Sequence, residues 1–119
     1  MRYQDALTAI REALRACGLT PNPNGEYVVY FNFTTKALTL HKRKISYPSV
    51  AGEEYIKAKP ESLKRDGTPQ NDFWIVGFDD FYQAFTFFIT LWEILHCRYG
   101  KVFTRAVDSS AKPTPTFPF

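Results

Sequence analysis

Between residues 2 and 17 the positions Tyr3, Leu7, Ile10, Leu14 and Cys17 recur at steps of four and three, with Arg2, Asp5, Arg11, Glu12 and Arg15 set between them. That period predicts an amphipathic helix, closed by Gly18 at the usual glycine position after a helix. The stretch "TPNPNG" that follows reads as a loop. From 26 to 33 the period becomes two. Tyr27, Val29, Phe31 and Phe33 alternate with Val28, Tyr30 and Asn32, so a strand with sizeable side chains on both faces is expected. A short turn leads into a second strand near 37–47, giving a β-hairpin. Residues 54–59 read as a third strand ended by Pro60, and 61–72 as a turn of helix and an exposed loop. The apolar run at 73–78 reads as a buried strand.

The strongest pattern comes next. Asp79 or Asp80 caps a helix that runs to Tyr99 and stops at Gly100. Asp79, Gln83, Thr86, Thr90 and Glu93 form a narrow polar stripe, and nearly everything else is large and apolar. A helix of that kind must be covered on several sides. Either a sheet and the first helix wrap it, or its leftover face forms a dimer seam. A short strand at 101–107 ends the body. The expected fold is α+β: an N-terminal helix, a mainly antiparallel sheet of four or five strands, a long buried helix and an extended arm, not an OB barrel. The domain is 1–107 and the Pro-rich arm is 108–119.

Composition changes this picture in one respect. Eleven Phe, seven Tyr and two Trp are heavy for 119 residues; the core accounts for most of them, but such residues also supply interface anchors and base-stacking platforms. Cys17 and Cys97 lie far apart with no CxxC pattern, which fits two buried, reduced thiols in a cytoplasmic protein. Charge mixed through "MRYQDALTAIREALRACG" makes no signal peptide expected there, and "AFTFFITLWEIL" is interrupted by Thr86, Thr90 and Glu93, so no membrane partner is expected.

Net charge is +3, unevenly spread. Residues 36–65 hold eight basic side chains (Lys36, Lys42, Arg43, Lys44, Lys57, Lys59, Lys64, Arg65) against Glu53, Glu54 and Glu61, a net of +5. Residues 66–100 are net −4, with five acids against Arg98. Alternation along the second strand places Thr39, His41, Arg43 and Ile45 on one face and Leu38, Leu40, Lys42 and Lys44 on the other. Tyr27, Tyr30, Tyr47 and Tyr55 are interleaved with the basic cluster. Lysine and arginine that track phosphates, beside aromatic faces that stack bases for about 1–3 kcal/mol each, suit a single-stranded nucleic acid. The candidate contacts are Lys36, His41, Lys42, Arg43, Lys44, Tyr47, Tyr55, Lys57, Lys59, Lys64 and Arg65. The same lysines also fit a solvated edge strand guarded against aggregation. Single strands are favoured over duplex, because neither helix has a basic face fitted to a major groove; single-stranded DNA is the first candidate, and the residues do not distinguish it from RNA.

Catalytic signals are absent. His41 and His96 sit in no acid/base or metal pattern, and no phosphate loop or Cys/His ligand spacing occurs. The Asp79–Asp80 pair is explained by a helix N-terminus. No enzyme activity, cofactor or metal is expected.

Residues 109–119, "SSAKPTPTFPF", pose a separate question. Prolines at 113, 115 and 118 forbid helix and hinder strand, yet Phe117 and Phe119 are strongly apolar. Burying both rings contributes about 3–6 kcal/mol, while ordering the twelve arm residues of 108–119 costs at least about 12 kcal/mol of backbone entropy. Only Phe117, Pro118 and Phe119 are therefore expected to dock, with "SSAKPTP" as spacer, into a neighbouring subunit or another protein. This plan of compact body and arm resembles that of bacterial and phage single-stranded-DNA-binding proteins, whose bacterial members close on Pro-Phe, here matched by Pro118–Phe119. The resemblance implies a replication or transcription cofactor of phage type that recruits a replication protein or RNA polymerase through the arm. The family's arm is strongly acidic; here Asp108 is opposed by Lys112. The competing reading is a phage-type inhibitor or adaptor that binds a host protein, with the aromatic surplus as its interface.

Overall fold

Tyr3–Cys17 forms α1, as the period predicts. Its buried face is richer than the large-residue stripe alone indicates: Ala6, Ala9 and Ala13 are fully buried with Leu7, Ile10 and Leu14. Small residues at that spacing bring the helix close to its neighbours. In this computed structural model the described residues are 1, 3–22, 24–43, 56–57, 73–101 and 103–112, with 56–57 described as backbone. The remaining elements are β1 (Tyr27–Asn32), β2 (Ala37–Lys42), β3 (Ile56–Lys57), β4 (Phe73–Phe78), α2 (Phe81–Tyr99) and β5 (Thr104–Val107).

The strands form one open sheet in the order β3-β4-β1-β2-β5. Three pairings are antiparallel, and β2 with β5 is parallel. The fold is thus α+β with a mostly antiparallel, unclosed sheet, as the sequence predicts. Register sorts the side chains. Tyr27, Val29 and Phe31 share a face with Lys42, Leu40 and Leu38 and with Phe78, Val76 and Trp74. This face packs under α1 and α2 and holds the main core. Val28, Tyr30, Ile75 and Phe73 build a second, smaller apolar cluster on the opposite face.

The hairpin turn is set by Asn32. Its buried side chain accepts from the amides of Thr34 and Thr35 and donates to the Tyr30 hydroxyl at 3.1 Å. Lys36 closes the turn with φ of 57°, a left-handed position held by a non-glycine residue. The Lys36 carbonyl then accepts from the Thr104 amide at 2.9 Å and seats the start of β5.

α2 begins where the sequence places it. Asp80 is the N-cap and accepts from the Gln83 amide at 2.8 Å; Gly100 ends the helix with φ of 60°. Asp80→Ala is expected to lower unfolding free energy by about 1 kcal/mol, read from urea denaturation, with Asp79→Ala as the milder control. Ala84, Phe87, Phe88, Leu91 and Leu95 form the buried stripe of α2. The final strand is shorter than expected and starts at Thr104, because Phe103 turns into the core instead. Its ring lies 5.4 Å from that of Phe31, and its carbonyl accepts from the Trp92 indole at 3.1 Å.

Candidate binding surface

The basic cluster predicted from sequence does not converge where it is described. Lys36 and Lys42 flank β2 at opposite ends, about 20 Å apart at strand rise. His41 is on the face of the second cluster, opposite Val28 and Gly77, whereas Lys42 is on the helix face. The Lys42 ammonium sits 5.8 Å from the Tyr27 ring and 3.5 Å from the Glu26 carboxylate, with its side chain 44% exposed. Arg43 is a structural anchor. Its Nε–H donates to the Gly25 carbonyl at 2.8 Å and its backbone amide to the Glu26 carbonyl at 2.7 Å. Tyr27 packs on Phe81 and Tyr30 on Phe73, so neither ring stands free as a stacking platform. Lys57 pairs through its backbone with Trp74 in β3, which is separated from β2 by β4 and β1. Lys44, Tyr47, Tyr55, Lys59, Lys64, Arg65, Phe117, Pro118 and Phe119 lie outside the described residues.

A different surface is built from α2 and β5. Phe81, Tyr82, Phe85, Ile89 and Trp92 fall on the side of α2 left over after its core stripe is buried. Tyr82 is 71% and Phe85 38% exposed, the large apolar side chains most open to water among the described residues. Their rings are in register with deeper ones. Phe81 stacks on Phe85 at 5.6 Å and 19°, and Phe85 lies 6.2 Å from Phe88. Beside this ladder runs an apolar groove of about 270 Å³, bounded by Phe85, Phe88 and Ile89 on the helix and Arg105, Ala106 and Val107 on β5. Arg105 is one of its lining residues. Its guanidinium stands 4.1 Å from the Trp92 ring, which is also stacked on His96 at 5.5 Å. β5 pairs with β2 and, among the described residues, with no other strand. An exposed aromatic ladder, an apolar groove and a strand edge therefore meet on one side of the molecule.

A second cleft, of about 480 Å³, lies between α1 and α2. Its charges are internally balanced, since Arg98 pairs with Glu12 across the helices. Cys97 lines it, whereas the neighbouring His96 is held on Trp92, so the two do not converge on a reacting atom. Cys97 is exposed and Cys17 half-buried, which corrects the expectation of two buried thiols. Cys17 has a reason to be there: its thiol lies 3.2 Å from the Thr90 hydroxyl on the polar stripe of α2. Burial, followed by the carboxylates of Glu12 and Asp5, holds the Tyr99 hydroxyl above its ordinary pKa, so it stays neutral where α1 meets α2. Among the described residues no group of three or more His, Cys, Asp or Glu is arranged to hold a metal ion, and no helix is long and apolar enough to cross a membrane.

No protein-family model, curated protein or solved structure matches the chain.

Sequence reasoning missed Tyr82, Phe85 and Arg105 as surface residues. The signal was present in the excess apolar circumference of α2, read as either a wrapped helix or a dimer seam. Only the position of β5 decides which side is left open, and a strand's place in a sheet is not encoded in its own four residues.

Proposed function

We propose that this chain is a non-enzymatic binding protein, an adaptor or inhibitor that docks on a partner protein through the aromatic face of α2 and the adjoining edge of β5. The observation that carries this reading is the exposure of Tyr82 and Phe85 on a continuous ring ladder that borders an apolar groove. Large aromatic side chains at a groove are the usual anchors of protein interfaces, with an arginine at the rim. Arg105 stands at such a rim. A protein that presents apolar side chains of its own, a second copy of this chain included, is a partner of this chemistry.

A second reading keeps single-stranded nucleic acid, DNA first, as the ligand. What supports it is the net +5 of residues 36–65, together with exposed Lys36 and half-exposed Lys42. On that reading the chain is a phage-type replication or transcription cofactor acting in the cytoplasm.

One titration separates the two. Labelled oligothymidine and a duplex of equal length are followed by fluorescence polarisation at two salt concentrations. The docking reading expects no binding even at low salt. Tight binding that prefers single strands and weakens with salt would select nucleic acid, with a slope near 0.7 log unit per phosphate contact. Variants for this test should be Lys36→Ala and Lys42→Ala with Arg43 left in place, because removing Arg43 also removes the anchor of the loop at Gly25.

A further inference from the structure

β5 is the last strand of the sheet and pairs on one side, with β2. The Thr104 amide donates to the Lys36 carbonyl and the Asp108 amide to the Leu40 carbonyl, both at 2.9 Å. Successive residues of a strand turn their backbone groups to opposite sides, so Ala106 faces β2 together with these two. The N–H and C=O groups of Arg105 and Val107 therefore point away from the sheet, and among the described residues no hydrogen bond engages them. The strand that carries them is held at both ends. Phe103 before it is buried and accepts from the Trp92 indole, and behind it the Ala111 amide closes a turn on the Asp108 carbonyl at 3.0 Å. An edge fixed in this way loses little freedom when another strand is laid on it.

Arg105 and Val107 share the helix face of the sheet with Leu38 and Leu40, their register partners. A strand added to β5 lies about 4.8 Å from it. Its side chains on that face meet the groove whose other wall is Phe85 and Ile89, which calls for apolar residues. Charge sets the rest. The charged residues of 101–112 are Lys101, Arg105, Asp108 and Lys112, and Lys36 adjoins Thr104. Lys36, Arg105 and Lys112 are exposed, whereas Asp108 is half-buried and its carboxylate accepts from the Ser110 amide at 2.9 Å. The edge is thus cationic and complements acidic side chains. A second copy fits it badly. Two β5 strands paired antiparallel through Arg105 and Val107 would set their Arg105 side chains directly or diagonally opposite on one face, where like charges destabilise the pair.

We propose that the β5 edge takes an extended, acidic and apolar segment of a partner protein as a sixth strand of the sheet. Main-chain bonds to Arg105 and Val107 hold the segment, and its alternate apolar side chains enter the α2–β5 groove. Its carboxylates meet Arg105 and the neighbouring lysines. The proposal rests on the reading of the α2–β5 face as a protein-docking surface.

The test uses the full chain and a phage-displayed library of random short peptides, with the enriched sequences synthesised and labelled. Enrichment of segments that alternate apolar positions and carry acidic residues is expected. In hydrogen exchange followed by NMR, the Arg105 and Val107 amides of the free protein are expected to exchange faster than those of Ala106 and Asp108. They are expected to slow when a selected peptide is added. Val107→Pro removes an outward N–H and keeps the ladder to β2, so it is expected to weaken peptide binding about tenfold. Arg105→Glu is expected to weaken it as well, through charge, with exchange in β2 unchanged. A library that yields no binder, or binders without acidic residues, would overturn the proposal. So would Arg105 and Val107 amides that are already protected in the free protein, or that become protected as its concentration rises, since the edge is then covered by this chain or by a second copy. Peptide binding that is lost in Phe85→Asp but indifferent to Val107→Pro would refute strand addition and keep protein docking. Oligothymidine binding with no peptide binder would refute docking itself.

Discussion

Phe87→Ala is expected to lower unfolding free energy by about 3–5 kcal/mol, the usual cost of truncating a fully buried phenylalanine. Phe87 has no exposed surface and lies midway along α2 with its ring 5.2 Å from that of Phe78, where helix and sheet meet. The lost ring removes transfer free energy and leaves a space whose lining cannot collapse, because Leu91 and Ala84 are anchored on the same stripe. Stabilities of small domains run from about 5 to 15 kcal/mol, so this change removes a large share. Phe85 is the control. It is two residues away, equally large and 38% exposed. Phe85→Ala is expected to cost less than about 1 kcal/mol. Urea denaturation of both variants reads the contrast directly. Equal losses would mean that the face of α2 described as open is buried.

The second large effect is expected at Gly77 in β4. A methyl group there would lie 2.4 Å from the Asn22 carbonyl oxygen and 3.0 Å from a terminal nitrogen of Arg43. Both neighbours are committed. The Asn22 amide donates to the Gly77 carbonyl at 2.8 Å, the Gly25 amide donates to the Asn22 carbonyl at 2.9 Å, and Arg43 holds the Gly25 carbonyl. An added Cβ therefore pushes the whole loop off the sheet end rather than one flexible side chain. Gly77→Ala is expected to cost about 1–3 kcal/mol from overpacking, and more where the loop hydrogen bonds are also lost. Thermal denaturation reads the loss. A melting temperature equal to wild type would show that the loop at 19–26 does not lie on β4 as described.

These two sites show what the sequence carries and what it does not. α2 was legible from both ends, because Asp80 and Gly100 have local reasons to be a cap and a stop and the apolar run between them is long. β4 was legible because six apolar residues in a row suit a strand covered on both faces. β1 and β2 were legible as a hairpin from their alternation. What failed to come through was long-range. The stretch before β1 read only as Pro/Asn/Gly turn chemistry, and nothing local announced that Gly25 faces the backbone of Phe78 and Gly77 that of Asn22. Arg43 stood in a basic run and counted as a phosphate contact, yet its Nε–H is engaged by a backbone carbonyl eighteen residues earlier. The basic cluster itself was a feature of the linear sequence. Alternation along β2 turns His41 and Lys42 to opposite faces, and the sheet order puts β4 and β1 between Lys57 and β2.

The α2–β5 face gives the opposite case, a surface on a helix whose sequence left open whether it is wrapped on all sides or forms a dimer seam. Composition showed a heavy aromatic share, most of it expected in the core. The helical period marked α2 as apolar nearly all round. Neither fact identifies the open side, because that depends on β5 pairing in parallel with β2 and leaving a gap against Phe85 and Ile89. The polar stripe expected on α2 is largely exposed at Asp79, Thr86 and Glu93, and part of it also meets protein. Thr90 receives the Cys17 thiol from α1, while Glu93 lines the cleft between the helices.

The central claim, that this chain binds protein through the aromatic side of α2 and not nucleic acid through its basic segment, is met most directly by the polarisation titration with labelled oligothymidine and matched duplex. No rise in polarisation is expected with either probe at low salt. A rise with oligothymidine that exceeds the duplex signal and disappears as salt is added would contradict it.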